Sequence, residues 1–535
     1  MHDRVFNLLH EPWILVLNLE GKTEEVSLLT VMERAHEFRG LAGELPTQDV
    51  AILRLLLATL YATFTRADVQ GSRKTINNAT EALERWQSLW ELNRFPLGPI
   101  KKRLCHYEER FFLFHPERPF YQVAGLAKGT DYTAAKLLGN LSESGNKVRL
   151  FPVRTGDGKR SISYAEAARW LLYLNAFDDT SSKPSVRGQK MPSPGAGWLG
   201  KLGLIYANGA DLFETLMLNF VLLNDNGEPW GNGNAAWEID ELRTKEREEI
   251  VLPQDQLTIL TLQSRRLFLQ REANRVLGYR LLGGDFFPRE NAITEQMTLW
   301  RKDSKEDVYL PKRHDPSKQL WRDFPSFLAD GDDLKKPGIV RWLSILKERG
   351  LISNTITFRI ASVKYGDKDF FVTDVFEDSL SLNTGMLSKL GEEWVMRIIR
   401  LLSITEECIA QLAYLAADLA KASGDSDSIY HKAGKGIGNV AKADAYFRLD
   451  VPFRRWLADI DPAQSDMGET EQVWKDTVGR VLLQLGEEMT HQSGEKGIVG
   501  RWVKGKDDKK GKLYTAPGAL VKFSSNIKRT IGKGG

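Results

Sequence analysis

From about Gly391 onward the chain changes character, and this change restricts the available architectures more than any other feature. Trp394, Ile398, Ile399, Leu402, Ile409, Leu412 and Leu415 recur at helical spacing and trace one long apolar stripe. Further helical stretches follow at Ala441 to Asp459, Glu469 to Met489 and Ala516 to Ile531, separated by polar segments. Residues 386–535 are therefore expected to form a four-helix bundle. Residues 1–385 read differently: helical patterns at Asp49 to Phe64, Ala79 to Leu92 and Tyr164 to Phe177 alternate with short β-branched and aromatic runs. The predicted fold class is α+β, a large mixed α/β N-terminal domain followed by an all-α C-terminal four-helix bundle. A chain of 535 residues is also too long for one core when domains average roughly 100–200 residues.

Within the first domain, Phe6 to Val16 reads as an apolar strand with Trp13 as its anchor. A turn at Glu20-Gly21-Lys22, a second strand and a helix entered at Pro46-Thr47 follow, with Thr47 expected as N-cap. Phe111 to Tyr121 is aromatic and punctuated by proline, as a short strand with a tight corner would be. Two stretches, about 139–160 and 178–203, shift toward Ser, Gly, Pro and Lys. They are expected to be mobile loops, and loops of this length inside a domain are often functional. Residues 355–375 carry a hairpin signal, with strand-like Thr355 to Val363 and Phe370 to Val375 flanking Lys364-Tyr365-Gly366-Asp367-Lys368-Asp369.

Charge and cysteine content exclude several function classes. Lys+Arg 74 against Asp+Glu 71 gives +3, so any phosphate binding must come from local patches. Cys105 and Cys408 alone supply neither a disulfide framework nor a cysteine zinc cage, and a reducing compartment is expected. The opening Met1-His2-Asp3-Arg4 has no signal-peptide pattern, and the apolar run Val50 to Tyr61 is broken by Arg54 and too short to span a bilayer. A cytoplasmic chain without a membrane partner is the expectation.

No catalytic constellation emerges. The eight histidines are scattered, and His314-Asp315 reads as an ordinary loop. Gly434-Lys435-Gly436-Ile437-Gly438-Asn439 is phosphate-friendly, because glycines let backbone N–H groups converge on an anion. Three readings stay open there: a plain flexible interhelical loop, non-specific contact with nucleic-acid backbone through Lys432, Lys435 and Lys442, or a phosphate- or nucleotide-binding enzyme. Lys504 to Lys512 is a charge run, either solvated or tracking phosphates. Neither a cofactor nor a metal is expected.

Four islands carry a resemblance: the opening segment, the corner Arg118-Pro119-Phe120-Tyr121-Gln122, the hairpin, and Lys442-Ala443-Asp444-Ala445-Tyr446-Phe447-Arg448. In this order they resemble the large subunit of the type I-E CRISPR surveillance complex Cascade, the CasA family. The resemblance implies a non-catalytic antiviral role: reading the protospacer-adjacent motif (PAM) from the minor groove, starting duplex unwinding and R-loop formation, and recruiting a helicase-nuclease. Implied partners are the backbone, 5′-handle-binding and small subunits around a guide RNA, and target double-stranded DNA.

By the same resemblance, Leu150 and Phe151 match the loop that reaches the guide's 5′ end. Ser181, Ser182, Lys183 and Pro184 stand where the family has a minor-groove glycine loop, and Lys364 to Asp369 match its DNA-separating wedge. Arg275 or Arg280 corresponds to a further basic contact. The chain departs from the family by lacking the loop glycines and by carrying Asp367, Lys368 and Asp369 where Gln or Asn is usual. It also lacks the cysteines with which some relatives bind zinc. A wedge carboxylate suits the guanine amino group, the minor groove's only base-pair donor, and such readout is degenerate. A permissive PAM set is expected.

Overall fold

A computed structural model describes residues 4–143, 148–180, 195–240, 253, 255–286, 288–352, 355–424, 427–503 and 511–532. The chain divides into two compact units. The first comprises Met1–Ser317, Asp330–Leu351 and Ile356–Ser379; the second comprises Lys318–Ala329, Ile352–Thr355 and Leu380–Gly535.

The first unit opens as an antiparallel sheet in which Ile14–Asn18 lies between Thr23–Val26 and Phe38–Leu41. Gly21 turns the first pair at φ +82°, a left-handed conformation that favours glycine. Trp13 is fully buried and its indole N–H donates to the Leu8 carbonyl at 2.9 Å, which fixes the entry to the sheet. A seven-residue helix, Leu28–Arg34, follows, capped by the Ser27 hydroxyl, which accepts from the Thr30 amide. Two turns between strands are too short to show a period in the sequence.

Helix Pro46–Phe64 is buried around its circumference and forms the centre of this unit. Its N-cap is Leu45, with Pro46 in the first turn, which corrects the expected cap at Thr47. The proline ring supplies the helical φ and needs no donor there. Gln48 and Asp49 reach back instead, accepting from the amides of Glu44 and Gly43. Arg54, on this helix, donates both guanidinium nitrogens to Glu295 at 2.8 and 2.9 Å in a fully buried pair. Helix Tyr164–Phe177 packs beside it and starts with a capping box, Ser163 and Glu166 satisfying each other's amides. Of the further sheets in the unit, two are three-stranded. In one, Arg275–Gly283 lies between Thr130–Thr133 and Arg265–Glu272. In the other, the hairpin strand Thr355–Tyr365 lies between Ile205–Asn208 and Val372–Asn383.

The second unit contains helices Lys389–Ser423, Asp427–Ala458, Met467–Gln492 and Ala516–Gly532. Trp394, Ile398, Leu402, Ile409, Leu412 and Leu415 are all buried, and Gly424 ends the first helix at φ +88°. Trp321, Phe453, Trp456 and Trp474 pack ring against ring at centroid distances of 4.8 to 5.5 Å, so Trp456 is core.

The C-terminal region is helical, as expected, and also carries a small antiparallel pair, Arg501–Val503 with Lys512–Tyr514. One sequence expectation is corrected here. Gly434 to Asn439 is not a loop, for it lies inside helix Asp427–Ala458. Gly438 explains why glycine belongs there: a Cβ would sit 3.1 Å from the Ala413 backbone, so its absence lets this helix approach Lys389–Ser423 closely. No described helix is long and apolar enough to cross a membrane. Among the described residues no group of three or more His, Cys, Asp or Glu side chains is placed to hold a metal.

Candidate nucleic-acid interface

The tip of the hairpin is a single 3-10 turn, Asp367–Asp369, between the two long strands. Lys368 and Asp369 both adopt positive φ, +54° and +58°, a costly conformation for residues bearing a Cβ. The surroundings hold it. Arg313 meets Asp369 in a two-pronged pair, both contacts at 2.8 Å, and Thr180 donates its amide to the Asp369 carbonyl at 2.9 Å and its hydroxyl to the Lys368 carbonyl at 2.8 Å. The Gly366 amide donates to the Phe371 carbonyl at 2.8 Å, and a side chain at 366 would come within 2.7 Å of the Phe371 ring. Glycine is required there by close approach.

Tyr365 is turned inward. Its hydroxyl donates to the Phe177 carbonyl at 2.8 Å, and the Arg313 guanidinium lies 5.3 Å from its ring centre. Burial, reinforced by Tyr173, raises its phenol well above the usual range, so it serves as a neutral strut. Lys364, Asp367 and Lys368 point the other way. They are exposed, and among the described residues they form no ion pair. With Arg313 neutralising Asp369, the free tip presents two ammonium groups and one carboxylate.

Described residues that adjoin the other predicted segments bond to the hairpin. Leu150 and Phe151 are 91% and 92% exposed, and the adjacent Arg149 ties their loop to the hairpin by donating to the Val372 carbonyl at 3.4 Å. Arg149 also donates to the Leu141 carbonyl at 2.7 Å, closing the loop onto its own base, while its far end folds as the short helix Asp157–Arg160. Ser181, Ser182, Lys183 and Pro184 lie outside the described residues, but both flanks of their segment are fixed. Thr180 is bonded to the tip. On the other side the buried Arg265 donates to the Gly195 carbonyl at 2.6 Å while pairing with Asp178. Arg313, Thr180 and Arg149 were not singled out from sequence; Arg313 stands 56 residues from Asp369, and no local pattern links them.

The CRISPR-associated protein Cse1 family matches residues 7–485 of the chain. The chain belongs to the Cse1 family. A curated relative, CRISPR-associated protein CasA/Cse1 of Thermus thermophilus, is 29% identical over 527 residues, covering 90% of this chain and 98% of its own. The crystal structure of Thermobifida fusca Cse1 superposes with a TM-score of 0.81 at 28% identity, covering 98% of both chains. A chain of a solved CRISPR RNA-guided surveillance complex shares the fold at 18% identity, with a TM-score of 0.69, 98% of this chain and 99% of that one covered.

In this Cse1 chain two of the weaker basic candidates, Arg275 and Arg280, are engaged by neighbouring groups. Arg280 is held by Asp131 through two 2.9 Å contacts, and Arg275 donates to the Ser161 carbonyl at 2.8 Å. Lys442 lies on helix Asp427–Ala458; the side chains of Lys432 and Lys435 are outside the described residues. His314 is buried against the Leu204 carbonyl at 2.9 Å.

Proposed function

We propose that this chain is the large, non-catalytic subunit of a guide-RNA-directed DNA surveillance complex, a Cascade, and that its hairpin tip enters the minor groove beside the PAM and separates the first base pairs. One observation carries the reading. A rigid turn with exposed Lys364, Asp367 and Lys368 is braced by the residues that introduce both loops assigned to DNA and guide contact. Lys364 and Lys368 suit phosphates or minor-groove acceptors, Asp367 suits a guanine amino group, and Phe151 supplies an exposed ring at the guide's end. Opening a few base pairs costs on the order of 1–2 kcal/mol per stacking step. Charge-assisted hydrogen bonds of roughly 1.5–3 kcal/mol offset that cost, so a near-neutral chain suffices. Docking of the helicase-nuclease to the opened complex belongs to the same proposal.

The test is a reconstituted complex with guide RNA and a PAM-bearing duplex. Asp367→Ala with Lys368→Ala is expected to weaken duplex binding about tenfold or to abolish permanganate reactivity of PAM-proximal thymines. Wild-type affinity together with wild-type opening overturns the wedge. A PAM-library selection is expected to return several related motifs, and a single unique trinucleotide overturns the permissive reading. The nucleotide-binding enzyme loses its structural basis at Gly434 to Asn439, where helical backbone replaces the converging loop amides it requires.

A further inference from the structure

Away from the hairpin, the first unit contains a cavity of about 690 Å³, within the roughly 300–1,000 Å³ range of small-ligand pockets. It is lined by Arg66, Arg73, Lys102, Arg103, His106 and Asn234, with Ala62, Ala67 and Pro99 as its apolar floor. We infer that this cavity binds a phosphate-rich anion of nucleotide size.

Helix Leu97–Cys105 supplies Lys102 and Arg103 from its last turn, and His106 follows at its end. Glu238, with a side chain 1% exposed, accepts from both Arg66 and Arg103, at 3.0 and 2.6 Å, and so fixes two guanidinium groups while neutralising one charge. Arg66 is further fastened to the Gly233 carbonyl and to Asn234. Arg73 is set by an antiparallel bridge to Ala67 across a tight loop that turns at Gly71, φ +85°. The buried Arg85 clamps that loop from behind, donating to the carbonyls of Phe64, Ala67 and Lys74. Asp68, the loop's own acid, is occupied by the amides of Gln70 and Ser72. Arg73 and Lys102 are exposed, and among the described residues they enter no ion pair.

The balance is four cations against one carboxylate on a braced frame. Repulsion among the four cations is relieved by a multiply charged anion, and guanidinium groups match phosphate oxygens in a fork geometry. The lining has no aromatic face other than the His106 ring, so recognition rests on phosphate rather than on base stacking. Free nucleotides and the phosphorylated end of a nucleic-acid strand share this chemistry. The site is remote in sequence from the tip, and the inference stands whether or not the tip opens DNA.

The experiment titrates the full-length chain with three probes: inorganic pyrophosphate, a 5′-phosphorylated RNA trinucleotide, and the same trinucleotide with a 5′-hydroxyl. Pyrophosphate and the phosphorylated trinucleotide are expected to bind competitively, and the hydroxyl form at least about tenfold more weakly. Preference for pyrophosphate identifies a free anion; preference for the trinucleotide identifies a strand end. Arg73→Glu with Lys102→Glu, both exposed and unpaired, is expected to lower affinity by about a hundredfold, and Lys102→Gln alone by about tenfold. Lys305→Ala, at an exposed lysine outside the lining, should leave it unchanged. Absence of binding by any probe up to millimolar concentration at low salt overturns the inference, as does binding that the double variant leaves intact.

Discussion

Arg313 and Asp369 lock the side chain of a left-handed tip residue to the body of the N-terminal unit, guanidinium to carboxylate in parallel at 2.8 Å. Both side chains retain access to water, 34% and 28% exposed, so the pair is worth at most about 1 kcal/mol in stability. Arg313→Ala is therefore expected to lower Tm by only about 2 °C or less. Its effect should appear instead as faster hydrogen exchange at the Asp369 and Phe370 amides. A large loss of Tm with unchanged exchange would contradict this assignment.

Lys368 separates stability from function. At φ +54° a lysine bears roughly 1–2 kcal/mol of backbone strain that glycine relieves, while glycine loses about 0.5–1 kcal/mol through its freer unfolded chain. Lys368→Gly should leave Tm within about 2 °C or raise it. Target-duplex affinity of the assembled complex should fall, because the ammonium group is gone. Unaltered affinity would remove Lys368 from the interface.

Asp49 gives the N-terminal unit a pH dependence. Burial pushes its carboxyl up to about 7, against the opposing effects of the Gly43 amide, which donates to it at 2.7 Å, and of Arg359. The ordinary value is 3.8, so between about 4 and 7 the folded chain binds more protons than the unfolded one. Stability from this group therefore falls as pH rises through that window, by no more than about 1.4 kcal/mol per pH unit. Asp49→Asn keeps an acceptor for Gly43 and should flatten the slope of Tm against pH from 4.5 to 7.5. A parallel displacement of the whole curve would show that another group is responsible.

Gly436 tests the continuity of helix Asp427–Ala458. A Cβ there meets nothing within 4 Å, and the glycine has no left-handed φ to preserve. Gly436→Ala is expected to stabilise the second unit by up to about 1 kcal/mol, read as a rise in its unfolding midpoint. A phosphate-cradling loop would respond in the opposite direction.

Legibility in the sequence followed the range of the interactions. Helix Tyr164–Phe177, the Trp394 to Leu415 stripe and the hairpin strands declare themselves through local periodicity. Helix Leu28–Arg34 and the three-residue strands near Trp502 are shorter than one readable period. Gly434 to Asn439 misled because local propensity favours a loop, whereas packing of Gly438 on Ala413 makes helix the better solution. At the tip, Lys364, Asp367 and Lys368 were nameable from the hairpin and the family resemblance. Their brace was not, since Arg313, Thr180 and Arg149 reach it from 56, 188 and 223 residues away.

The Arg54–Glu295 pair has a consequence for synthesis. Its partners are 241 residues apart, and at about 5–20 residues per second the ribosome makes Glu295 some 12 to 48 s after Arg54. For that interval an apolar helix carrying a cation meant for the interior has no counter-charge. Translation speed and chaperone supply, rather than the equilibrium stability of the finished chain, should then set how much of it reaches the native state.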